Sequence, residues 1–109
     1  MVDNEAFKNM VLSFPDIVEM PHFEKTSFRL KNKIVATLDI TSKKACIKLT
    51  ETDQYIFATI DPTGIYPVNN KWGKQGWTFI ELKKVKKNIL KDALAKAYDS
   101  IAKPKANKK

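Results

Sequence analysis

The 109-residue chain holds one cysteine, Cys46, one histidine, His22, and three glycines, Gly64, Gly73 and Gly76. Each scarcity excludes a class of chemistry. A lone cysteine makes neither an internal disulfide nor a cysteine-based zinc site, so packing must hold the fold together, in a reducing compartment such as the cytoplasm. One histidine cannot supply a His-x-x-x-His metal pair. The three glycines match neither a phosphate-binding loop nor a dinucleotide fingerprint, and no Gly-x-Ser-x-Gly elbow is present. No apolar run approaches the roughly 20 residues that span a bilayer. The segment from Met1 to Phe7 lacks the basic and apolar regions of a secretory signal. The expectation is a non-enzymatic protein without cofactor, metal or membrane.

Acidic residues are also scarce in one place. Residues 1–70 carry 8 basic and 9 acidic side chains, whereas residues 71–109 carry 12 lysines against Glu81, Asp92 and Asp99. The whole net charge of +8 therefore lies in the last third. Such asymmetry suits a polyanionic partner and also serves solubility.

What the chain does have is clear periodicity. Asp3 is placed to cap a first helix with Phe7, Met10, Val11 and Phe14 on one stripe, ended by Pro15. Residues 17–25 read as a short edge strand or loop. From Ser27 the period changes to two: Phe28 and Leu30 oppose Ser27, Arg29 and Lys31. Beyond a turn at Asn32-Lys33, Ile34, Ala36, Leu38 and Ile40 oppose Val35, Thr37 and Asp39. A third strand sets Ala45, Ile47 and Leu49 against Lys44, Cys46 and Lys48. Thr50-x-x-Asp53 opens a second helix bearing Ile56, Phe57 and Ile60, which stops at Asp61-Pro62-Thr63-Gly64. After the brief apolar run Ile65 to Val68 and a loop from Asn69 to Gly76, Thr78, Ile80 and Leu82 alternate with Trp77, Phe79 and Glu81. A last helix carries Ile89, Leu90, Ala93, Leu94, Ala97, Tyr98 and Ile101 on one wide apolar face. Pro104 closes it.

The order of elements predicts an α+β fold: an antiparallel β-sheet with helices packed on one face, including an N-terminal and a C-terminal helix. Residues 1–102 form a single domain and residues 103–109 a basic, flexible tail. The other sheet face is then exposed. It would carry Arg29, Lys31, Lys44, Lys48, Trp77 and Phe79, a mixture of cations and aromatic planes suited to phosphates and stacked bases. The competing arrangement turns Trp77 and Phe79 into the core and leaves the cations as a solvated surface. The adjoining Lys71-Trp72-Gly73-Lys74-Gln75-Gly76-Trp77 stretch reads as a tight loop that projects Lys71 and Lys74 as a basic wing. Gln75 is then free to meet a base edge or a phosphate. The same stretch also fits a turn anchored by Trp72 and Trp77 as packing residues.

Two smaller features each admit two readings. His22 with Glu24 fits a weak ligand or acid/base pair, or a structural histidine. Cys46 between Lys44 and Lys48 would have its thiolate favoured by two cations, or is an inert small residue.

Several stretches together resemble the MmcQ/YjbR family. They are the segment from Pro21 to Arg29, the segment from Lys33 to Leu38, Tyr66-Pro67-Val68, and above all the block from Trp72 to Thr78. The resemblance runs from the first helix to about Ala102. It implies a YjbR/frataxin-like α+β fold, described for the family as a double-wing arrangement, with DNA binding as the proposed role and no catalytic residues to carry over. Within the matching motifs, Arg29 and residues 72–77 are the positions it nominates. Frataxin-like proteins also handle iron through acidic residues of the first helix and edge strand. Here Asp3, Glu5, Asp16 and Glu19 form only a sparse set. The expected partner is therefore nucleic acid, DNA before RNA, gripped with low sequence specificity by Arg29, Lys31, Lys44, Lys48, Lys71, Trp72, Lys74, Gln75 and Trp77. The alternative is docking of an acidic protein. The chain is expected to act as a monomer.

Overall fold

A side-chain oxygen opens the first helix. Asp3 Oδ1 accepts the Ala6 N–H at 2.7 Å, which fixes the start of α1 (Asn4–Leu12) by satisfying a donor that has no partner within the helix. The computed structural model describes residues 2–22 and 25–102. After α1 come β1 (Val18–His22), β2 (Lys25–Leu30), β3 (Lys33–Asp39) and β4 (Lys44–Lys48). Next are α2 (Glu51–Ile60), β5 (Ile65–Pro67), the one-turn α3 (Lys71–Lys74), β6 (Trp77–Glu81) and α4 (Lys87–Ala102). None of the helices among the described residues is long and apolar enough to cross a membrane.

The six strands form one sheet in the order β1-β2-β3-β4-β6-β5, and every neighbouring pair is antiparallel. The first four strands follow the chain as a meander. The β4–α2–β5 connection then skips one strand position, which β6 fills, so β4 and β5 run in the same direction with β6 between them.

One face of the sheet is closed. Phe28, Leu38, Ala45, Ile47 and Ile80 point into a core shared with Phe7 and Val11 of α1 and with Leu90, Ala93, Leu94 and Ala97 of α4. The α4 residues fall at i, i+3, i+4 and i+7, the stripe a core-facing helix needs. Its two alanines leave room for the sheet. Phe7 meets Phe28 edge-on with centroids 6.0 Å apart. Phe14 stacks on Tyr98 at 4.9 Å, and the Tyr98 hydroxyl donates to Pro15 O at 2.9 Å, which ties the end of α1 to α4. Burying each of the larger side chains stabilises the fold by about 1.5–3 kcal/mol.

Four sequence expectations need correction. The β2–β3 turn is Lys31-Asn32, with φ of 54° and 69°, not Asn32-Lys33. Two consecutive residues at positive φ make the tight turn whose twist matches a hairpin. Next, β2 and β3 slip by one residue, so that Phe28 pairs with Ala36 but Arg29 pairs with Ile34. Val35 is the extra residue of this bulge and enters the core, while Ile34 moves to the open face. Ile40 lies beyond β3 and is exposed. Third, α2 buries only Phe57; Ile56 and Ile60 face outward. Finally, the supposed loop from Asn69 to Gly76 contains α3, started by Asn70, whose side chain accepts the Trp72 N–H at 2.9 Å. The proposed tail, residues 103–109, lies outside the described residues, as do Glu24 and the His22 side chain.

Candidate functional site

Alternation along the strands decides which side chains reach the open face. Thr78 and Ile80 are buried, so Trp77, Phe79 and Glu81 of β6 emerge opposite, each half-buried. The register then aligns them with the outward residues of β4: Lys48 faces Trp77, Cys46 faces Phe79, and Lys44 faces Glu81. Continuing outward from Phe79 and Cys46, Tyr66 of β5 and Thr37 of β3 complete a row. The arrangement with Trp77 and Phe79 in the core is thereby excluded.

Cations lie over these rings. Lys44 Nζ is 4.8 Å from the Phe79 centroid, Lys48 Nζ is 5.5 Å from that of Trp77, and Lys71 Nζ is 6.0 Å from that of Trp72. Such contacts add about 0.5–1 kcal/mol each at exposed sites.

The two ends of the face differ in charge. At one end Lys44 pairs with Glu81 at 3.5 Å, and the Tyr66 hydroxyl donates to the same carboxylate. Tyr66 first, then Lys44, hold the Glu81 carboxyl below its ordinary range despite some burial. Burial lowers the Lys44 pKa, but Tyr66 and Glu81 outweigh it and the net shift is upward. Asp39, in register with Lys44, turns its carboxylate to the N–H groups of Thr41 and Ser42 at 3.1 and 3.3 Å. Lys44 was expected to grip phosphate; its charge is instead balanced by Glu81. At the other end, Lys48, Gln75 and Trp77 surround a second hollow with Lys33 and Ile34, with no carboxylate in its lining among the described residues.

Between these ends lies an open pocket of about 350 Å³. Trp72, Trp77, Phe79, Val68 and Ile34 give it apolar walls. Lys25, Thr37 and Cys46 supply its few polar atoms. Burial pushes the Cys46 thiol up to about 11, with Thr78 and Lys25 only partly opposing it. Of the two readings of Cys46, the inert small residue fits this burial: the lysine that lowers the thiol is Lys25, while Lys44 and Lys48 lie over the Phe79 and Trp77 rings.

Two glycines shape the turn that delivers Trp72. A Cβ on Gly73 would stand 1.8 Å from Val68 O, and one on Gly76 would stand 1.9 Å from Leu49 O. Gly76 also has φ of 102°, which L residues rarely adopt. Gln54 of α2 anchors the turn from behind, with Nε2 at 2.9 Å from Gly73 O and 3.1 Å from both Trp77 O and Thr78 Oγ1. Trp72 is left 49% exposed at the pocket's edge.

This glycine-framed turn carrying two tryptophans is the block on which the sequence resemblance chiefly rested, and the YjbR family model matches residues 12–100. The chain belongs to the YjbR family. A crystal structure of Deinococcus radiodurans protein DR2400, with the family-model domain DUF419, is similar in fold, with a TM-score of 0.81 at 20% sequence identity. The match covers 95% of this chain and 81% of that one. No curated protein matches the chain.

In this YjbR domain the nine residues selected from sequence do not form a single cluster. Trp72 and Trp77 share the pocket; Lys48, Gln75 and Trp77 share the neighbouring hollow. Lys71 and Lys74 are exposed on α3 and border another hollow with Asn69 and Asn70. Arg29 is on the open face, where its Nε donates to Ser27 Oγ at 3.0 Å and Ser27 in turn donates to Met20 O. Lys31 sits at the tip of the β2–β3 hairpin instead of on the strand face. Lys25, Ile34 and Thr37 were missed. Alternation had already turned Thr37 outward, and running it back from Ser27 would have reached Lys25; only the bulge reveals Ile34. Among the acidic residues considered for iron, Asp3 caps α1, while Glu5 and Glu19 both lie near Lys8 Nζ, at 3.8 and 3.4 Å. Among the described residues no group of three or more His, Cys, Asp and Glu side chains is placed to hold a metal ion.

Proposed function

We propose that this chain is a non-enzymatic, cytoplasmic, monomeric nucleic-acid-binding domain with low sequence specificity, and that its open sheet face and the α3 turn form the interface. The observation that carries this reading is the repeated placement of a lysine over an aromatic ring along one surface. Cations attract phosphates and release their counterions, while exposed rings accept bases by stacking. Lys71 and Lys74 serve as a basic wing beside the face. With Gln75 as the main side chain able to read a base edge, recognition depends on backbone charge more than on sequence. DNA is the polymer that the family resemblance favours.

Fluorescence anisotropy with labelled oligonucleotides at low and physiological salt tests the reading. Binding should be strong at low salt, fall steeply with salt, and weaken in the double variant Lys71→Glu plus Lys74→Glu. No binding at low salt would overturn the proposal, and so would binding unaffected by the double variant.

A further inference from the structure

The pocket has features that phosphate binding alone does not require. Its 350 Å³ is at the small end of ligand sites, which run from roughly 300 to 1,000 Å³. Three aromatic side chains, Trp72, Trp77 and Phe79, contribute to a lining that contains no carboxylate among the described residues. Lys25 is the one cation in that lining among the described residues, and Lys48 and Lys71 bear on the Trp77 and Trp72 rings from outside it. Thr37 offers a hydroxyl donor and acceptor. The Cys46 thiol, held protonated by burial, adds a weak donor and a neutral surface. Volume restricts the guest to one ring system, the walls favour a flat aromatic one, and the lysines favour an anionic substituent.

We propose that this pocket is the subsite for a single unpaired base with its phosphate, so that the domain prefers single-stranded over duplex nucleic acid. The inference rests on the nucleic-acid reading above and sharpens it. In a duplex, bases are stacked and paired and cannot enter a pocket, whereas a single strand can turn one base into it. Trp72 is suited to close over such a base. It is half exposed on a one-turn helix, and the Gly73 and Gly76 contacts hold that turn against the β5 and β4 ends.

Two measurements on the full chain test this. Anisotropy compares a labelled single strand with the matching duplex at one low salt concentration. Tryptophan fluorescence follows titration with adenosine monophosphate, using ribose 5-phosphate as the control that lacks a base. The expected result is single-strand binding at least about 10-fold tighter than duplex binding. Trp72→Ala should then weaken single-strand binding by about 5- to 100-fold while changing duplex binding by less than about 2-fold. Because Trp72 is half exposed, this variant should keep the parent's circular dichroism spectrum. Lys25→Glu, on an exposed strand position, should give the same pattern without removing a ring. Lys74→Glu, which borders a separate hollow on α3, should weaken both polymers together and leave the mononucleotide response unchanged. Equal affinity for strand and duplex, or Trp72→Ala and Lys25→Glu variants that bind single strands like the parent, overturns the pocket assignment while leaving the nucleic-acid reading standing. Failure of both polymers to bind overturns the nucleic-acid reading. In that case saturable quenching by adenosine monophosphate that Trp72→Ala abolishes would keep the base pocket and reassign its ligand to a free nucleotide, and absence of quenching would overturn the pocket as well.

Discussion

Gly73→Ala tests whether the α3 turn is held as closely as the geometry requires. The added Cβ would be 1.8 Å from Val68 O and must retreat about 1.6 Å to reach the 3.4 Å of ordinary contact. Such a shift breaks the bond from Gln54 Nε2 to Gly73 O at 2.9 Å and distorts that from Gly73 N to Asn70 O, also 2.9 Å. Two hydrogen bonds at about 1 kcal/mol each, with residual overpacking of about 1–3 kcal/mol, give a loss of roughly 3–5 kcal/mol. Against this, alanine gains up to about 1 kcal/mol over glycine in a helical turn. The clash wins, leaving about 2–4 kcal/mol of destabilisation. For a domain of this size that lowers Tm by roughly 8–16 °C. Thermal unfolding followed by circular dichroism measures the shift, and tryptophan emission reports displacement of Trp72. A variant that melts at or above the parent temperature would mean that helix propensity dominates and that the Val68–Gly73 approach is not a constraint.

Three further outcomes follow from the electrostatics. If Lys25, Lys48, Lys71 and Lys74 each meet a phosphate, single-strand affinity should fall about 50-fold between about 50 and 200 mM salt, and a log–log slope near zero would refute electrostatic binding. Glu81→Gln should release Lys44 and strengthen nucleic-acid binding at neutral pH. In the parent the Glu81 carboxyl is depressed on folding, so its contribution to stability is present above the ordinary carboxylate range and is lost as pH falls through the lowered value. A pH titration of stability should show this acid-side loss in the parent and not in Glu81→Gln. Finally, the Cys46 thiol, raised to about 11, should react with an alkylating agent near pH 8 on the order of 100-fold more slowly than a free thiol of ordinary pKa near 8.5. A rate equal to that of the unfolded chain would refute the burial argument.

Much of the architecture was legible because strands and helices repeat with different periods. Alternation from Trp77 to Leu82 put Ile80 and Phe79 on opposite sides of the strand without reference to any partner, though not which side is buried, and the α4 stripe from Ile89 to Ile101 identified its buried side directly. Asp3 and Thr50 were recognisable caps because a cap acts within three residues of itself. Local rules failed where two distant segments had to be fitted together. The bulge between β2 and β3 adds a residue that only strand pairing exposes, and it exchanges Ile34 for Val35 in the core. Likewise, α2 shows three apolar residues at helical spacing, yet the space between β5 and α4 takes only Phe57.

Charge divides in the same way. The sequence by itself determined that the chain is basic, that the excess lies beyond residue 70, that Lys44 and Lys48 lie on one side of β4, and that Trp77 and Phe79 lie on one side of β6. It could not determine which cations are free, since a salt bridge depends on distances across strands remote in sequence. Tertiary structure decided that Lys44 is paired with Glu81, that Lys31 belongs to a hairpin tip, and that Lys25 joins the pocket. It also brought Trp72, Trp77 and Phe79 together with β3 and β4 side chains to make a cavity. A cavity is a property of the space between packed elements, and that space exists only once the chain has folded.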